Sequence, residues 1–550
     1  MVHSYYTSLS ADNKQDKKYK SLQSVNTCIL LFIALLTFSA VRATDDEYES
    51  SDGICNKCNC TSENGTLEDG ENGKTFSLDC SMKNFQHLFA NWPQEIGDNQ
   101  TSLEIIFTMS MNELMTLQQL PTTDAVLLFT CRHCKISSIA AHAFIDTPKI
   151  LTLDLAYNSL ESSALFPEVF KGPDSDDQYA PIQLQKLDLS HNQITTLDKL
   201  IFEHLPNLKH LRLSHNVIQV LDQSTQAALG SLHKLEILDL YHAHLDDLPR
   251  ETLANMKMLS ELVIAGNNLT SVPSSLSAVG ETLRYLHLSE NNFEVIGEES
   301  FAGLTQLKIL NISSMPFLTE IKKDSFKSLS SLESLFCRSN EKLESFDMQD
   351  LRLLKHLKEL DLRSNALTSL DFGEIELNKN AESLNKTETA QDEDRFKDQF
   401  SKLRDLKLAG NRWNCDCFMM KALSLFDHKA IYFQKTVNND EARCHKPSDL
   451  SSKLLYELPL EYVCATQGRQ KPLKIPVYDP PQFLRPKSIM LTVFSVVGVI
   501  VLGIFIGFGI VCIKRRLKSN EAGYSSSPIR YTHVNRDSTI SNVANTPYSP

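Results

Sequence analysis

Residues 187–194 read LDLSHNQI, and closely similar stretches recur along most of the 550-residue chain. They fit the pattern LxxLxLxxNxL, which most often returns after 24 residues, with a weaker copy near Leu103. The eleven matches begin at Val126, Ile150, Leu184, Leu208, Leu235, Leu259, Leu283, Leu307, Leu332, Leu357 and Leu403. A period of this length predicts a stack of similar units rather than a set of independent globular domains.

The order of apolar and polar residues in the repeat indicates which side chains are buried. Positions 4 and 6, such as Leu187 and Leu189, are expected to point inward from a short strand, whereas positions 3, 5 and 7 point outward. Apolar residues expected to fill the convex half of each turn include Phe144, Phe202, Phe301 and Phe326. The pattern resembles the leucine-rich repeat, which implies an α/β solenoid, a horseshoe with a concave sheet of short parallel strands.

The asparagine at position 9 has a separate role. Its side-chain amide can hydrogen-bond backbone groups that would otherwise be buried unpaired where the chain turns inward. This residue occurs as Asn158, Asn192, Asn216, Asn267, Asn291, Asn340, Asn365 and Asn411.

Three copies depart from the asparagine rule. Ala243 and Met315 replace the residue, and Cys134 replaces it in the stretch VLLFTCRHCKI. Cysteine is an accepted alternative at this position. We interpret Cys131 and Cys134 as buried thiols, and a local disulfide is the alternative.

Two apolar runs indicate the membrane topology. The first, at 28–40, is too short to cross a bilayer, and Val41 and Ala43 suit a signal-peptidase site, so residues 1–43 are predicted to be a signal peptide. An uncleaved anchor is the alternative, because a long segment precedes the run. The second run, at 488–513, has 26 residues without a charge, and KRRLK follows it. These features predict a single-pass type I protein of the plasma membrane with an extracellular N-terminus.

Charge is distributed unevenly along the chain. The net charge of −13 is the sum of +3 before Thr44, +4 after Ile513 and −20 between them. So acidic a body disfavours nucleic acid as a partner and favours basic protein surfaces.

Eight of the thirteen cysteines form two clusters that flank the repeats, with the spacings C-x2-C-x-C-x19-C and C-x-C-x26-C-x19-C. Zinc sites are one interpretation, but a secreted topology favours disulfides. The clusters consist of Cys55, Cys58, Cys60 and Cys80, and of Cys415, Cys417, Cys444 and Cys464.

Clusters, repeats and apolar span together resemble extracellular leucine-rich-repeat single-pass transmembrane proteins with cysteine-rich caps, the kind that includes insect Tartan and Capricious and vertebrate trophoblast glycoprotein. The stretch NRWNCDC at 411–417 is similar to the NPWxCDC opening of their C-terminal cap, with Arg412 in place of proline. The resemblance implies an extracellular or cell-surface protein ligand. It also implies the disulfides Cys55–Cys60, Cys58–Cys80, Cys415–Cys444 and Cys417–Cys464.

These features divide the chain into seven predicted segments. In order they are the signal peptide at 1–43, an N-terminal cap at 55–100, about twelve repeats at 101–413 with insertions near 172–181 and 374–397, a C-terminal cap at 414–465, a Pro-rich stalk at 466–487, a transmembrane helix at 488–513 and a disordered cytoplasmic tail at 514–550.

Two short motifs lie in the last segments. Gly503 and Gly507 form a GxxxG pattern that favours a homodimer, although glycine is frequent in membrane spans in any case. The tail motif IRYTHV, with Tyr531 and Val534, fits a sorting signal or a phosphotyrosine site, and an inert linker is the alternative.

Sequons of the form N-x-S/T predict glycosylation in the region expected to be extracellular. Asn59 is left out, because Cys60 of the cap follows it. The predicted acceptors are Asn64, Asn99, Asn268, Asn311 and Asn385.

The sequence contains no nucleophile elbow, P-loop, HExxH motif or paired catalytic carboxylates. His191, His215 and His242 occupy position 8 of three consecutive repeats, at a strand spacing of about 5 Å. Such a row could bind a metal or sense pH. Because LSHN is a common spelling of the repeat, we interpret these histidines as part of the scaffold and expect no enzyme activity, cofactor or metal.

An apolar group surrounded by charge lies at the middle of the predicted concave face. The apolar members are Ile237, Tyr241, Val263, Tyr285 and Ile309, and the surrounding residues are Arg212, Asp239, Glu261 and His287. An apolar centre with a charged rim is typical of a protein-binding surface, and scattered surface residues are the alternative. A glycan at Asn311 is expected to bound this surface.

The predicted function is therefore that of a cell-surface receptor or adhesion protein that binds a protein partner on its concave face. The alternative is a co-receptor or regulator that presents or sequesters a soluble ligand.

Overall fold

A computed structural model describes residues 53–66, 72–97, 102–175, 178–371, 403–424 and 442–466. The chain divides into two units, Met1–Lys471 and Pro472–Pro550, and the described residues all lie in the first. The predicted signal peptide, second insertion, stalk, transmembrane helix and tail lie outside the described residues. Within the described ranges, no helix has both the length and the hydropathy that crossing a membrane requires.

A single sheet of fourteen strands runs through the described part of the chain, with its strands in sequence order. The first two strands are antiparallel, and every later neighbour is parallel. This confirms the predicted parallel-strand solenoid. The strands are Asn59–Thr66, Asn72–Asp79, Leu103–Thr108, Val126–Thr130, Ile150–Asp154, Lys186–Asp188, His210–Arg212, Ile237–Asp239, Glu261–Val263, Tyr285–His287, Ile309–Asn311, Ser334–Phe336, Glu359–Asp361 and Asp405–Lys407.

Short elements occupy the rest of each turn. The α-helices are Ile54–Lys57, Gln223–Gly230, Cys417–Ser424 and Leu460–Thr466, and the 3-10 helices are Gln94–Ile96, Ser162–Ala164, Pro167–Phe170, Ser274–Val279, Met348–Leu353 and Leu455–Glu457. Five further strand pairs are Thr116–Leu117 with Ser138–Ile139, Asp174–Ser175 with Gln178–Tyr179, Val295–Ile296 with Glu320–Ile321, Ser345–Asp347 with Ser369–Asp371, and Trp413–Asn414 with Cys444–Lys446. The pair at 174–179 lies within the first predicted insertion.

The core follows the predicted positions. Leu187 and Leu189 are buried, as are the corresponding residues of the neighbouring repeats. In the convex half, the rings of Phe301 and Phe326 stack with centroids 6.0 Å apart, and Phe326 continues to Phe346 at 6.4 Å. Each repeat therefore completes its apolar core only against its neighbours, as a solenoid requires.

Position-9 asparagines connect consecutive repeats. The Nδ2 of Asn216 donates to the carbonyls of Leu189 and Leu213, each at 2.9 Å, and its Oδ1 accepts from the N–H of Ile194 at 3.0 Å. Leu189 and Ile194 belong to the preceding repeat, so one fully buried side chain satisfies backbone groups of two repeats. Equivalent bonds are made by Asn158, Asn192, Asn267, Asn291, Asn365 and Asn411.

The first repeat is better formed than its sequence indicates. Glu104 pairs with Val126, so the repeat begins one residue after Leu103. Asn112 supplies the position-9 amide, which donates to the carbonyl of Cys80 at 2.9 Å. Sequence matching missed this residue, because Glu104 replaces the leucine of position 1.

The interpretation of Cys131 and Cys134 as thiols is wrong. The two residues form a disulfide, with their Cα atoms 5.8 Å apart, and both are fully buried. Positions 6 and 9 of one turn both face inward, which brings two cysteines within bonding distance. Asn158 of the next repeat compensates, since its Oδ1 accepts from the N–H of Cys134 at 2.9 Å.

Disulfides hold both ends of the stack. The bonded pairs are those that the resemblance implies: Cys55–Cys60 and Cys58–Cys80 at the first end, and Cys415–Cys444 and Cys417–Cys464 at the last. At the last end, the fully buried Trp413 donates from Nε1 to the carbonyl of Leu408 at 2.8 Å. Disulfide-linked segments thus lie at both ends of the stack, where an open solenoid would expose its core.

Asn216→Ala should lower the melting temperature of the chain, because each buried backbone group left unpaired costs about 1–3 kcal/mol. Thermal unfolding measures this. Asn207→Ala is the matched control, since Asn207 accepts only an exposed side-chain bond from Lys234 in the described structure. Equal shifts of the melting temperature for the two variants would contradict the role of the position-9 asparagines.

Cys444→Ser should reduce the amount of folded protein, because removing a native disulfide costs about 2–5 kcal/mol and leaves the buried Cys415 without its partner. Retention of the full chain in the secretory pathway and faster proteolysis measure the effect. His445→Ser changes the exposed neighbour and serves as the control. Wild-type levels with wild-type protease resistance for Cys444→Ser would refute the prediction.

Candidate protein-binding surface

Apart from Tyr241, the predicted binding residues lie in two rows across adjacent strands. In the position-3 row, Ile237 is paired with Glu261, Glu261 with Tyr285, and Tyr285 with Ile309. All four are half-buried, so part of each side chain remains available to a partner. Adjacent strands lie about 4.8 Å apart, which makes the row one continuous strip.

The position-5 row runs parallel to the first. Asp239 is paired with Val263, Val263 with His287, and His287 with Asn311. The next residue along the row is Phe336, which is half-buried and was missed in the sequence, where it stands alone in a polar repeat. Its place beside Asn311 becomes visible only in the register of the strands.

We call the surface formed by these rows the concave-face site. Its apolar members are Ile237, Val263, Tyr285, Ile309 and Phe336, and its polar rim is Arg212, Glu261 and His287.

Asp239 does not belong to the rim, contrary to the prediction. It is 5% exposed, and its Oδ1 accepts from the N–H of Tyr241 at 2.9 Å. Burial raises the pKa of Asp239, and the nearby charge of Arg212 opposes that rise. Its carboxylate thus lies below the surface, where it accepts a hydrogen bond from the backbone just beyond the end of the strand.

Burial also determines the charge at the centre of the site. It raises the pKa of Tyr285 to about 12 and, together with Arg338, lowers that of His287 to about 4. Burial raises the pKa of Glu261 as well, and Arg212 counteracts this. At neutral pH the Tyr285 and His287 side chains are therefore uncharged, and an apolar partner surface can cover them without burying a charge.

On the N-terminal side of the site, charged side chains pair with one another. Arg132 lies 2.6 Å from Asp154 and 3.9 Å from Asp188, and Arg212 lies 3.7 Å from Asp188. Asp188 is shared between the two arginines, whereas Asp154 pairs with Arg132 alone. Arg132 and Arg212 are each exposed enough to contact a partner.

Tyr241 lies beyond the end of its strand, outside the two rows. Its ring stands edge-on to two histidines, with centroid distances of 5.2 Å to His215 and 4.2 Å to His242. It therefore borders the concave-face site rather than forming its centre.

The position-8 histidines belong to a longer series of stacked rings. His133 stacks on Tyr157 at 4.5 Å, Tyr157 on His191 at 3.9 Å, His191 on His215 at 4.0 Å, and His215 on His242 at 5.1 Å. We call these five residues the ring column. The sequence showed three of them, and the ten-residue insertion hid the fact that Tyr157 and His133 continue the same row.

Backbone conformation explains the column. Position 8 is left-handed throughout, with φ of 55° at His133, 58° at Tyr157, 52° at His191, 54° at His215 and 48° at His242. This geometry directs each side chain to the same lateral edge. The rings consequently stack at roughly the spacing of the strands.

Three predicted glycosylation sites lie within the described residues. Asn64 and Asn268 are exposed, and Asn268 donates to the carbonyl of His244 at 3.1 Å. Asn311 is half-buried on the concave face, between His287 and Phe336.

Other predicted sites lie outside the described residues: Asn99, Asn385, Tyr531 and Val534. Across the described ranges, no three histidine, cysteine, aspartate or glutamate side chains are grouped so as to hold a metal ion. The further cysteine of the described repeats, Cys337, is buried, and burial raises its pKa to about 12, so it is inert as a nucleophile.

A family model described as leucine rich repeat matches residues 182–237, 257–317 and 314–367. The repeats within these ranges match the leucine-rich repeat. Similar solved structures include a leucine-rich-repeat protein of Leptospira interrogans, 21% identical over 61% of this chain and 84% of that one, with a TM-score of 0.40. Internalin C2 of Listeria monocytogenes is 24% identical over 32% of this chain and 71% of that one, with a TM-score of 0.27. Comparison with curated proteins finds no match.

Proposed function

We propose that this leucine-rich-repeat chain is a cell-surface receptor or adhesion protein that binds an extracellular or cell-surface protein through the concave-face site. The observation that carries the proposal is the in-register strip of Ile237, Tyr285 and Ile309 beside Val263 and Phe336. Leucine-rich-repeat solenoids typically bind proteins on such extended surfaces.

The arrangement suits a protein partner for energetic reasons. Aromatic and aliphatic side chains that become desolvated at the centre of an interface contribute most of its binding energy. Here Tyr285 is an uncharged aromatic anchor, and Phe336 is a second one on the far side of Asn311. Arg212 and Glu261 at the edge add orientation and specificity, since charged groups at an interface rim steer association more than they add affinity.

Three observations support a place at the cell surface. The chain carries a predicted signal peptide at 1–43 and a predicted span at 488–513. Five disulfides join cysteines of the described residues, and such bonds form in the oxidising secretory pathway. The proposed location is the plasma membrane, with the repeats outside the cell.

Val263→Arg should abolish partner binding, because it places an unpaired guanidinium in the centre of the interface. The cost of burying such a charge, several kcal/mol, corresponds to a loss of affinity of at least about a hundredfold. Cells that express the full-length wild type or the variant are mixed with cells that display candidate surface proteins. Aggregation is then compared between the two. In parallel, binding of labelled secreted proteins is measured.

The matched control is Val220→Arg, which introduces the same side chain at a position that is 64% exposed and lies outside the strands. It should bind as the wild type does. Aggregation that Val263→Arg abolishes supports an adhesion role, self-aggregation included. Binding of a secreted factor without aggregation supports the co-receptor alternative. Wild-type binding by Val263→Arg would show that the partner does not bind at the concave-face site.

Asn311→Gln should remove one N-linked glycan, because the sequon at 311–313 would then be lost. The intact mass of the mature chain measures this, and Asn207→Gln, outside any sequon, is the control. An unchanged mass would show that Asn311 carries no glycan and that the concave-face site extends uninterrupted to Phe336.

A further inference from the structure

The ring column ends at His242, whose imidazole contacts the two repeats that follow. After His242 the same position is occupied by Gly266, with φ of 65°. A Cβ at Gly266 would lie 2.8 Å from ring atoms of His242, so the imidazole covers the glycine backbone. His242 Nε2 thereby reaches Glu290 Oε2, at 3.4 Å, two repeats further along the chain.

The column is not arranged to bind a metal. The rings of His191 and His215 are 14° from parallel, and those of His215 and His242 are 22° from parallel. Imidazole lone pairs lie in the ring plane, so nearly parallel rings cannot direct two of them at one ion within the 2.0–2.1 Å or so that zinc requires.

The surroundings of the column determine where protons are tolerated. His215 lies between the imidazoles of His191 and His242, and His244 is also near. Burial, followed by the charges of these three histidines, lowers the pKa of His215 to about 4. Burial also lowers the pKa of His191, where Asp188 opposes the effect, while His133 and Arg132 reinforce it. At the end of the column, His242 Nε2 faces the carboxylate of Glu290. The interior of the column thus resists the charge of an added proton.

Tyr241 connects the column to the concave-face site. Its ring rests edge-on against both His215 and His242, and its backbone N–H is held by the buried Asp239. Its carbonyl accepts from the N–H of His215 at 2.8 Å. Any movement of these two imidazoles changes the support of Tyr241, which stands at the border of the site.

We propose that the ring column is a proton-sensitive switch on the concave-face site: protonation of adjacent imidazoles separates the stacked rings, displaces Tyr241 and weakens partner binding in acidic compartments. This rests on the proposed function, since it concerns the regulation of that same site. Like charges about 4–5 Å apart repel one another, and partial burial reduces the screening by water.

The direction of the effect follows from the lowered pKa values. A histidine in an opened column regains water and titrates near its ordinary value of 6.5, whereas His215 in the stack titrates at about 4. The opened state therefore binds more protons between these values. Stability of the stack is complete above about pH 6.5 and is lost as the pH falls from 6.5 toward 4.

Hydrogen exchange of the full-length chain at about pH 7 and about pH 5, corrected for the intrinsic pH dependence of exchange, tests the switch without any partner. Residues 210–216 and 237–243 should lose protection at the lower pH. The change should be on the order of tenfold for one unit of pKa difference. Residues 307–315, whose repeat carries Ser314 at position 8, serve as the internal reference.

The double variant His191→Asn/His215→Asn should show no such loss, because asparagine tolerates left-handed backbone and does not titrate. His233→Asn changes an exposed histidine outside the column and should respond as the wild type does. If the double variant does not fold, Glu290→Gln provides a second test. It removes the carboxylate that faces His242, so the stack accommodates protons less well and the loss of protection at about pH 5 should be larger than in the wild type.

Two results would overturn the switch: unchanged protection of 237–243 at about pH 5 in the wild type, or an identical loss in the double variant. Because this measurement needs no partner, it is independent of the binding test. A concave-face site that proves wrong would leave the pH response of the column unaffected, and an absent pH response would leave the binding surface intact.

Discussion

The structure depends on one constraint: backbone groups that turn into the interior of the solenoid must be hydrogen-bonded there. The position-9 asparagine meets it, as when Asn216 binds two carbonyls and an N–H of two consecutive repeats. An unpaired buried polar group costs more free energy than a surface contact returns. The position-9 asparagines, here called the asparagine ladder, therefore hold each repeat in register with the one before it.

Register has a direct consequence for function. Because every repeat places its strand beside the preceding one, equal positions form rows, and a row can carry a property that no single repeat has. The concave-face site and the ring column are two such rows, one built from positions 3 and 5 and one from position 8. Neither contributes to the ladder, so both are free to carry function while positions 4, 6 and 9 maintain the fold.

The ladder also shows where the chain can depart from its own rule. At Cys134 a disulfide to Cys131 replaces the asparagine, and Asn158 of the next repeat satisfies the neighbouring N–H groups. At Ala243 the position carries no amide, yet Asn267 still binds the carbonyl of Leu240 at 3.0 Å. One missing amide is tolerated because each asparagine serves two turns.

The solenoid, the buried positions and most of the position-9 asparagines could be predicted from the sequence, because a strict period shows which residues face inward. The sequence also placed Ile237, Val263 and Tyr285 on one face. That Asp239 lies beneath that face and that Phe336 extends it is visible only in the folded chain. Likewise, His133 and Tyr157 join the histidines only across the insertion. These facts depend on the packing of one repeat against another. The period of a sequence shows neither how deeply a side chain is buried nor which residues of different repeats are in contact.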